Sequence, residues 1–235
     1  MTGVLTNKPK ISIIVPVFNE VNFINNFISH LNAVSQNPQE LIIVDGGSKD
    51  GTWEWLQNSI LENIFQTKTG RANQMNFGAK KATTSYLYFV HVDSRLPRDF
   101  DTIILNSFKK GENAGCFRLK FDNANWLLKK AAAGSKWNHL LCRGGDQSLF
   151  VSKEVFIKLN GFDPRYLVCE DIQFIKRIYK TTRFKILPNT LITSSRRFYE
   201  NRIIRLLLHF MFLHCSHYIG ASPKFLNNYY KRYVR

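Results

Sequence analysis

A chain of 235 residues with 44% apolar content and no low-complexity tract is long enough to bury one sizeable α/β core and too apolar to stay disordered. Its formal net charge of +16 calls for an anionic partner, and nucleotide phosphates, nucleic acid and an acidic membrane surface would each satisfy it. The cysteines Cys116, Cys142, Cys169 and Cys215 are scattered, without a CxxC pair or His/Cys ligand spacing, which argues against a zinc site and a disulfide framework and fits a reducing cytosol.

The opening "MTGVLTNKPK" lacks the apolar centre of a signal peptide, and no stretch reaches the roughly 18–20 apolar residues of a spanning helix. "ISIIVPVFNE" (11–20) reads as a buried strand closed by polar residues, and 21–34 has helical spacing at Phe23, Phe27 and Leu31. "ELIIVDGGSKDGT" (40–52) repeats the pattern: an apolar strand, Asp45, a glycine turn, then a helix from Thr52. Residues 70–82 form a helix leading into the strand "YLYFVHVDS" (86–94), where strand alternation would point His91 and Asp93 the same way. A helix after Pro97 running to about Lys109, a strand at 114–121 and a basic, aromatic, partly helical stretch at 122–143 follow. Residues 144–162 give a Gly-rich turn, a short strand and a helix with Ser152 as N-cap and Gly161 past its end. A helix at 169–180, strands at 184–188 and 191–195, and a mostly helical segment from 199 to 235 complete the chain.

Continuous apolar strands alternating with helices imply a mostly parallel sheet covered on both faces, a single Rossmann-like domain. In such sheets the carboxyl ends of the strands border the ligand crevice, and Pro16, Asn19, Asp45, His91 and Asp93 all fall on that edge. Asp45 before two glycines is a turn former or a hydrogen-bond acceptor for a base or ribose; GxGxxG and the Walker loop are absent. Asp93 either caps a turn before Pro97 or offers an oxygen ligand to Mg²⁺ or Mn²⁺, and His91 is a structural hydrogen-bonder or a second ligand. Glu170 and Asp171 open a helix, where acids suit the dipole; adjacent acids cannot face one point, so one would enter the crevice while the other pairs with a cation. Arg196 and Arg197 could clamp phosphate or form a solvated charge pair.

In order and spacing, "ISIIVPVFNE", "LIIVDGGSKDGT", "FVHVDS" and "CEDIQF" resemble family 2 glycosyltransferases of the GT-A fold, across residues 10–197. "GRANQMNFGAKKATTSYLYFVHVDSRLP" and "GGDQSLFVSKEVFIKLNGF" resemble a narrower bacterial subgroup, some of whose members are linked to arsenosugar biosynthesis. The resemblance implies a GT-A catalytic domain at 1–198, an inverting transfer from a nucleotide-diphosphate sugar (UDP as the commonest donor base), and assistance from Mg²⁺ or Mn²⁺. Pro16, Asn19 and Glu20 would border the base and ribose, Asp45 would bind the base, Ser48 and Asp50 would belong to the same loop, and Arg71 would lie near the diphosphate. Asp93 would be the metal carboxylate of the DxD motif, whose first aspartate is His91 here. Asp146, Gln147 and Glu170 would sit near the donor sugar or acceptor, with Asp171 as catalytic base.

The extension 199–235 is apolar on nearly every face from 203 to 213, broken by Arg205 and His209. It is either packed on the domain or a dimer contact, or it lies in a membrane interface with arginines and tyrosines at the headgroups. The first reading leaves a homodimer open. The second suits a lipid-linked acceptor and a cytoplasmic enzyme held at the inner face of the membrane; a small-molecule acceptor suits either. The rival classes are a nucleotide-sugar-binding module without activity and a basic nucleic-acid-binding protein. The second is disfavoured because the sequence carries no helix-turn-helix, RRM or zinc-finger signature.

Overall fold

The computed structural model describes residues 10–234; the leader reading for the first ten residues therefore falls almost wholly outside the described residues. Strands β1 (Ile11–Val17) and β2 (Gln39–Asp45) are joined by helix α1 (Val21–Val34), and α2 (Thr52–Gln57) leads to β3 (Ile64–Gln66). Helix α3 (Arg71–Lys81), β4 (Tyr86–Phe89), α4 (Phe100–Lys109), β5 (Ala114–Phe121) and α5 (Trp126–Ala133) follow. Three short 3₁₀ turns between Gly134 and Gln147 lead to β6 (Leu149–Ser152), α6 (Lys153–Lys158), α7 (Glu170–Thr181) and β7 (Phe184–Thr193). The chain ends in α8 (Arg196–Glu200), α9 (Ile203–Tyr218) and α10 (Pro223–Tyr233).

The strands form one seven-stranded sheet in the order β3-β2-β1-β4-β6-β5-β7, parallel except for β6. This is the expected α/β sheet with helices on both faces. The period-2 alternation of the central strands sorts their side chains between the two layers. Ile13, Val15, Ile43, Tyr88 and Val90 face α1, α2 and α4, burying Phe27, Leu31, Leu56 and Ile104. Ile14, Ile42, Val44, Leu87 and Phe89 face α3, α6 and α7, burying Met75, Phe156, Phe174 and Ile178. At roughly 1.5–3 kcal/mol for each large apolar side chain fully buried, these layers hold the sheet edge in place. Gly78 lets α3 approach closely: a Cβ there would stand 2.5 Å from the Ile14 side chain.

Two elements differ from the sequence reading. β3 was not read from the sequence: its Ile64, Phe65 and Gln66 are strand only because Ile43, Val44 and Asp45 of β2 offer them a parallel partner. The two closing strands are one, β7, with a register irregularity opposite Phe117 and Arg118 that passes over Pro188 and Asn189. Proline has no N–H to give the ladder, so the chain skips it in a bulge rather than ending the strand.

The C-terminal helices pack on the domain. Phe198, Leu206, Leu213, Leu226 and Val234 share a core with Leu128 of α5 and Ile172 of α7. Asn227 fastens α10 to the loop before α7, accepting from the Leu167 amide at 2.9 Å and donating to the Arg165 carbonyl at 2.8 Å.

Candidate active site

At the carboxyl edge of β1 and β2, two loops are stitched together. The Asp45 carboxylate, fully buried, accepts from the amides of Gly47 and Ser48 at 2.9 and 3.0 Å and from Gln66 Nε2 at 2.9 Å, and the Ser48 hydroxyl donates to it as well. Ser48 Oγ in turn accepts from the Asn19 amide at 2.8 Å, and Asn19 Oδ1 from the Lys49 amide at 2.9 Å. Asn19 is held at φ 57°, the left-handed region that asparagine tolerates better than most residues. Asp50 accepts from Val21 and Thr52, while the Thr52 hydroxyl accepts from the Glu20 amide at 2.9 Å. Beneath them Gln74 of α3 donates to the carbonyls of Val17 and Val44, at 2.7 and 2.8 Å, tying the two strand ends to each other.

The next part of the edge is different in kind. A cleft lined by Pro16, His91, Gly144, Ser148, Glu170 and Asp171 opens where β4 ends. Arg71, at the start of α3, pairs with the buried Glu170 (Nε to Oε1, 2.7 Å). Burial pushes the Glu170 carboxyl up while Arg71 opposes it, and its Oε2 is buried without a hydrogen-bond partner. Asp171 remains on the cleft, accepting only from its neighbour Ile172 N among the described residues, at 2.8 Å. The His91 imidazole is held down to about 3 by burial and by the Arg71 charge, with Asp171 opposing, so it is neutral: one ring nitrogen donates and the other can accept or ligate. Asp93 is pushed up to about 6 by burial and by the Asp146 carboxylate, against Arg196. Burial also lifts Glu20, to about 7, where Arg196 lowers it and Asp93 and Asp50 raise it. The Arg196 guanidinium lies 3.7 Å from Glu20 Oε2 and 4.3 Å from the centre of the Phe23 ring.

Several expectations are corrected. β4 ends at Phe89, and His91 and Asp93 sit in a turn closed by Ser94 N donating to the His91 carbonyl at 3.1 Å, so strand alternation does not set where they point. Gln147 is buried and turned inward, its Oε1 accepting from Arg143 at 2.8 Å and its Nε2 donating to the Cys142 carbonyl at 2.7 Å. Arg197 is not a partner of Arg196: it donates to the Tyr230 hydroxyl at 2.7 Å and stacks on Phe210 and Tyr230. Ser48 and Asp50 are spent on the loop scaffold, whereas Glu20 Oε2 is buried without a hydrogen bond, with only the loose Arg196 ion pair at 3.7 Å.

Sequence reasoning passed over Arg143, a fully buried cation without a carboxylate, satisfied by Gln147, the carbonyls of Ser135 and Trp137, and Cys116 Sγ. It braces the 134–148 segment that carries Gly144 and Ser148 to the cleft. Its only signal was an arginine beside two glycines. Gln74 was equally silent, although its place on the apolar face of α3, beside Met75 and Gly78, is one where a polar side chain needs an internal partner.

Among the described residues, no group of three His, Cys, Asp or Glu side chains could hold a metal ion unaided. Asp93 nonetheless feels the Asp146 carboxylate and Glu20 feels that of Asp93, with Arg196 opposing at both and Arg71 at Asp93. A carboxylate and a neutral imidazole fit a hard divalent ion that takes most of its ligands from phosphates and water.

Residues 12–160 match the family model described as "Glycosyl transferase family 2". Over 110 residues the chain is 27% identical to a poly-beta-1,6-N-acetyl-D-glucosamine synthase of Staphylococcus aureus, a match spanning 45% of this chain and 27% of the synthase. It is 38% identical over 100 residues to an uncharacterized glycosyltransferase of Haemophilus influenzae, 40% of each chain. Thus the chain matches well under half the length of the synthase. Among solved structures, the mannosyltransferase PcManGT of Pyrobaculum calidifontis, in complex with GDP-Man and Mn²⁺, superposes with a TM-score of 0.65 at 18% identity, over 96% of this chain and 70% of that one. TarS 1–349 of S. aureus in complex with UDP-GlcNAc gives 0.64 at 17%, over 95% and 73%. These likenesses establish the GT-A fold.

Proposed function

The chain belongs to glycosyl transferase family 2, and on that premise we propose that it moves a sugar from a nucleotide-diphosphate donor to an acceptor hydroxyl in one inverting displacement, with Asp171 as general base. The observation that carries the reading is the division of labour at the start of α7: Glu170 is bound to Arg71, and Asp171 is on the cleft with no ion-pair partner among the described residues. A carboxylate so placed can take the proton of an acceptor hydroxyl as it attacks the anomeric carbon. Attack from the face opposite the leaving diphosphate inverts the configuration.

Pro16, Asn19 and Glu20 border the base and ribose; Asp45, Ser48 and Asp50 give that wall its shape. UDP is the donor nucleotide we favour, as the commonest expectation from the family resemblance; one structural neighbour is in complex with UDP-GlcNAc and another with GDP-Man. Arg71 and Arg196 face the diphosphate, and Asp146 the transferred sugar. A divalent ion, Mg²⁺ or Mn²⁺, held by Asp93 with His91 as a nitrogen ligand would supply positive charge against the leaving diphosphate. The acceptor is a small molecule, the kind the arsenosugar-linked resemblance suggests, or a lipid-linked hydroxyl. We place the reaction in the cytoplasm, a compartment that suits four free cysteines.

Calorimetric titration of UDP, GDP and CDP, with Mn²⁺ or Mg²⁺ and again with chelator, tests the donor site. One nucleotide should bind in a metal-dependent way, and Asp93→Ala should abolish that dependence. Failure of every nucleotide to bind, with or without metal, would sink the reading.

A further inference from the structure

Helix α9 buries Leu206, Leu213, Ser216 and His217 against the domain and turns a second apolar stripe outward. Ile204, Leu208, Met211, Phe212 and Ile219 are 43–83% exposed. Their spacing of about one turn puts them on one side of a helix roughly 24 Å long. Phe225 of α10, 6.3 Å from the Phe212 ring and also exposed, widens the stripe. Contiguous exposed apolar surface of this kind marks a contact site rather than scattered surface residues.

Charge indicates what covers it. From Asn201 to Val234 the chain has no acidic residue, whereas Arg202, Arg205, Lys224, Lys231 and Arg232 are all exposed. A symmetric dimer through this face would press two uniformly cationic surfaces together. No helix among the described residues is long and apolar enough to cross a membrane. An apolar stripe flanked by arginine and lysine, with tyrosines beside it, is the pattern of a helix lying in a lipid interface.

We propose that the outward face of α9 and α10 docks the protein on an anionic phospholipid surface. The opposite, buried side of α9 packs on the start of α7, where Leu206 and Leu213 share a core with Cys169 and Ile172, which flank Glu170 and Asp171. That the bilayer also carries the acceptor rests on the glycosyl-transfer reading; the docking itself does not.

The test is co-sedimentation of the full chain with vesicles of phosphatidylcholine alone and of phosphatidylcholine mixed with phosphatidylglycerol. Binding should appear only with phosphatidylglycerol and weaken as salt rises. Leu208→Glu with Met211→Glu, both at exposed positions, should reduce it at least about tenfold, and so should Arg205→Glu with Lys231→Glu. Equal binding to both vesicles, binding to neither, or a vesicle-free dimer that the Leu208/Met211 variant dissociates would each overturn the proposal. Nucleotide titration of the same samples keeps the two readings apart. Nucleotide binding without vesicle binding removes the docking alone, and vesicle binding without nucleotide binding removes the transferase reading alone. Unchanged nucleotide binding in the variants also shows that they are folded.

Discussion

The two halves of the strand-end edge hold polar groups for opposite purposes. Around Asn19, Asp45, Ser48 and Asp50 nearly every acceptor is filled from within the chain, whereas beyond them carboxylates raise one another in pairs, Asp93 on Glu20, Asp146 on Asp93 and Asp171 on Glu170, and two buried oxygens, of Glu20 and Glu170, have no hydrogen-bond partner. Buried polar groups are normally satisfied, so the first half is a finished scaffold and the second is built around something that arrives. The same contrast separates Arg143, fully engaged by neutral acceptors, from Arg196, only loosely paired with Glu20.

The contrast breaks most visibly at Asp171. Asp171→Asn should lower turnover about 10³-fold and leave calorimetric nucleotide binding unchanged; loss of both together would move Asp171 into donor binding. In the scaffold the effects should appear as stability. Arg143→Met strands the carbonyls of Ser135 and Trp137 and the Gln147 oxygen, and should reduce unfolding free energy by about 3 kcal/mol in urea titration. Asp45→Asn replaces an acceptor-only group with one that offers a single oxygen, so about 2 kcal/mol is expected, together with weaker nucleotide binding; an unchanged midpoint would mean that Asp45 is free to serve a ligand instead.

The smallest effect is a pH dependence at Glu20. Its folded carboxyl is pushed up to about 7 from an ordinary 4.5, chiefly by burial, so the folded state holds that proton more tightly than the unfolded state. Glu20 therefore withdraws stability as pH rises from about 4.5 through 7. Glu20→Gln should match the parent's unfolding free energy near pH 4 and exceed it at pH 8, by about 1 kcal/mol after allowance for its partial exposure. A gain that is largest in acid would reverse the sign and place Glu20 with the satisfied groups.

The apolar runs of β1 and β2 and the helical spacing of α1 and α7 were legible because burial on two faces, or on one stripe, leaves a periodic mark on the chain. The strand-end placement of Asp45, and the division of Glu170 and Asp171 between a cation and the cleft, followed from the same patterns. By itself the sequence determined the α/β class, the edge of the sheet where polar residues gather and the family resemblance. The tertiary structure decided which of those residues face the cleft. Gln147 and Arg197 look no different in sequence from Asp146 and Arg196, yet one of each pair is drawn inward by a partner distant in the chain or buried beneath it: Cys116 and Arg143 for Gln147, Tyr230 for Arg197. β3 exists because β2 offers it an edge, and β7 runs through Pro188 because β5 accompanies it on both sides of the bulge. Periodicity records burial along the chain; hydrogen-bond partners are chosen across it, and only folding brings them within reach.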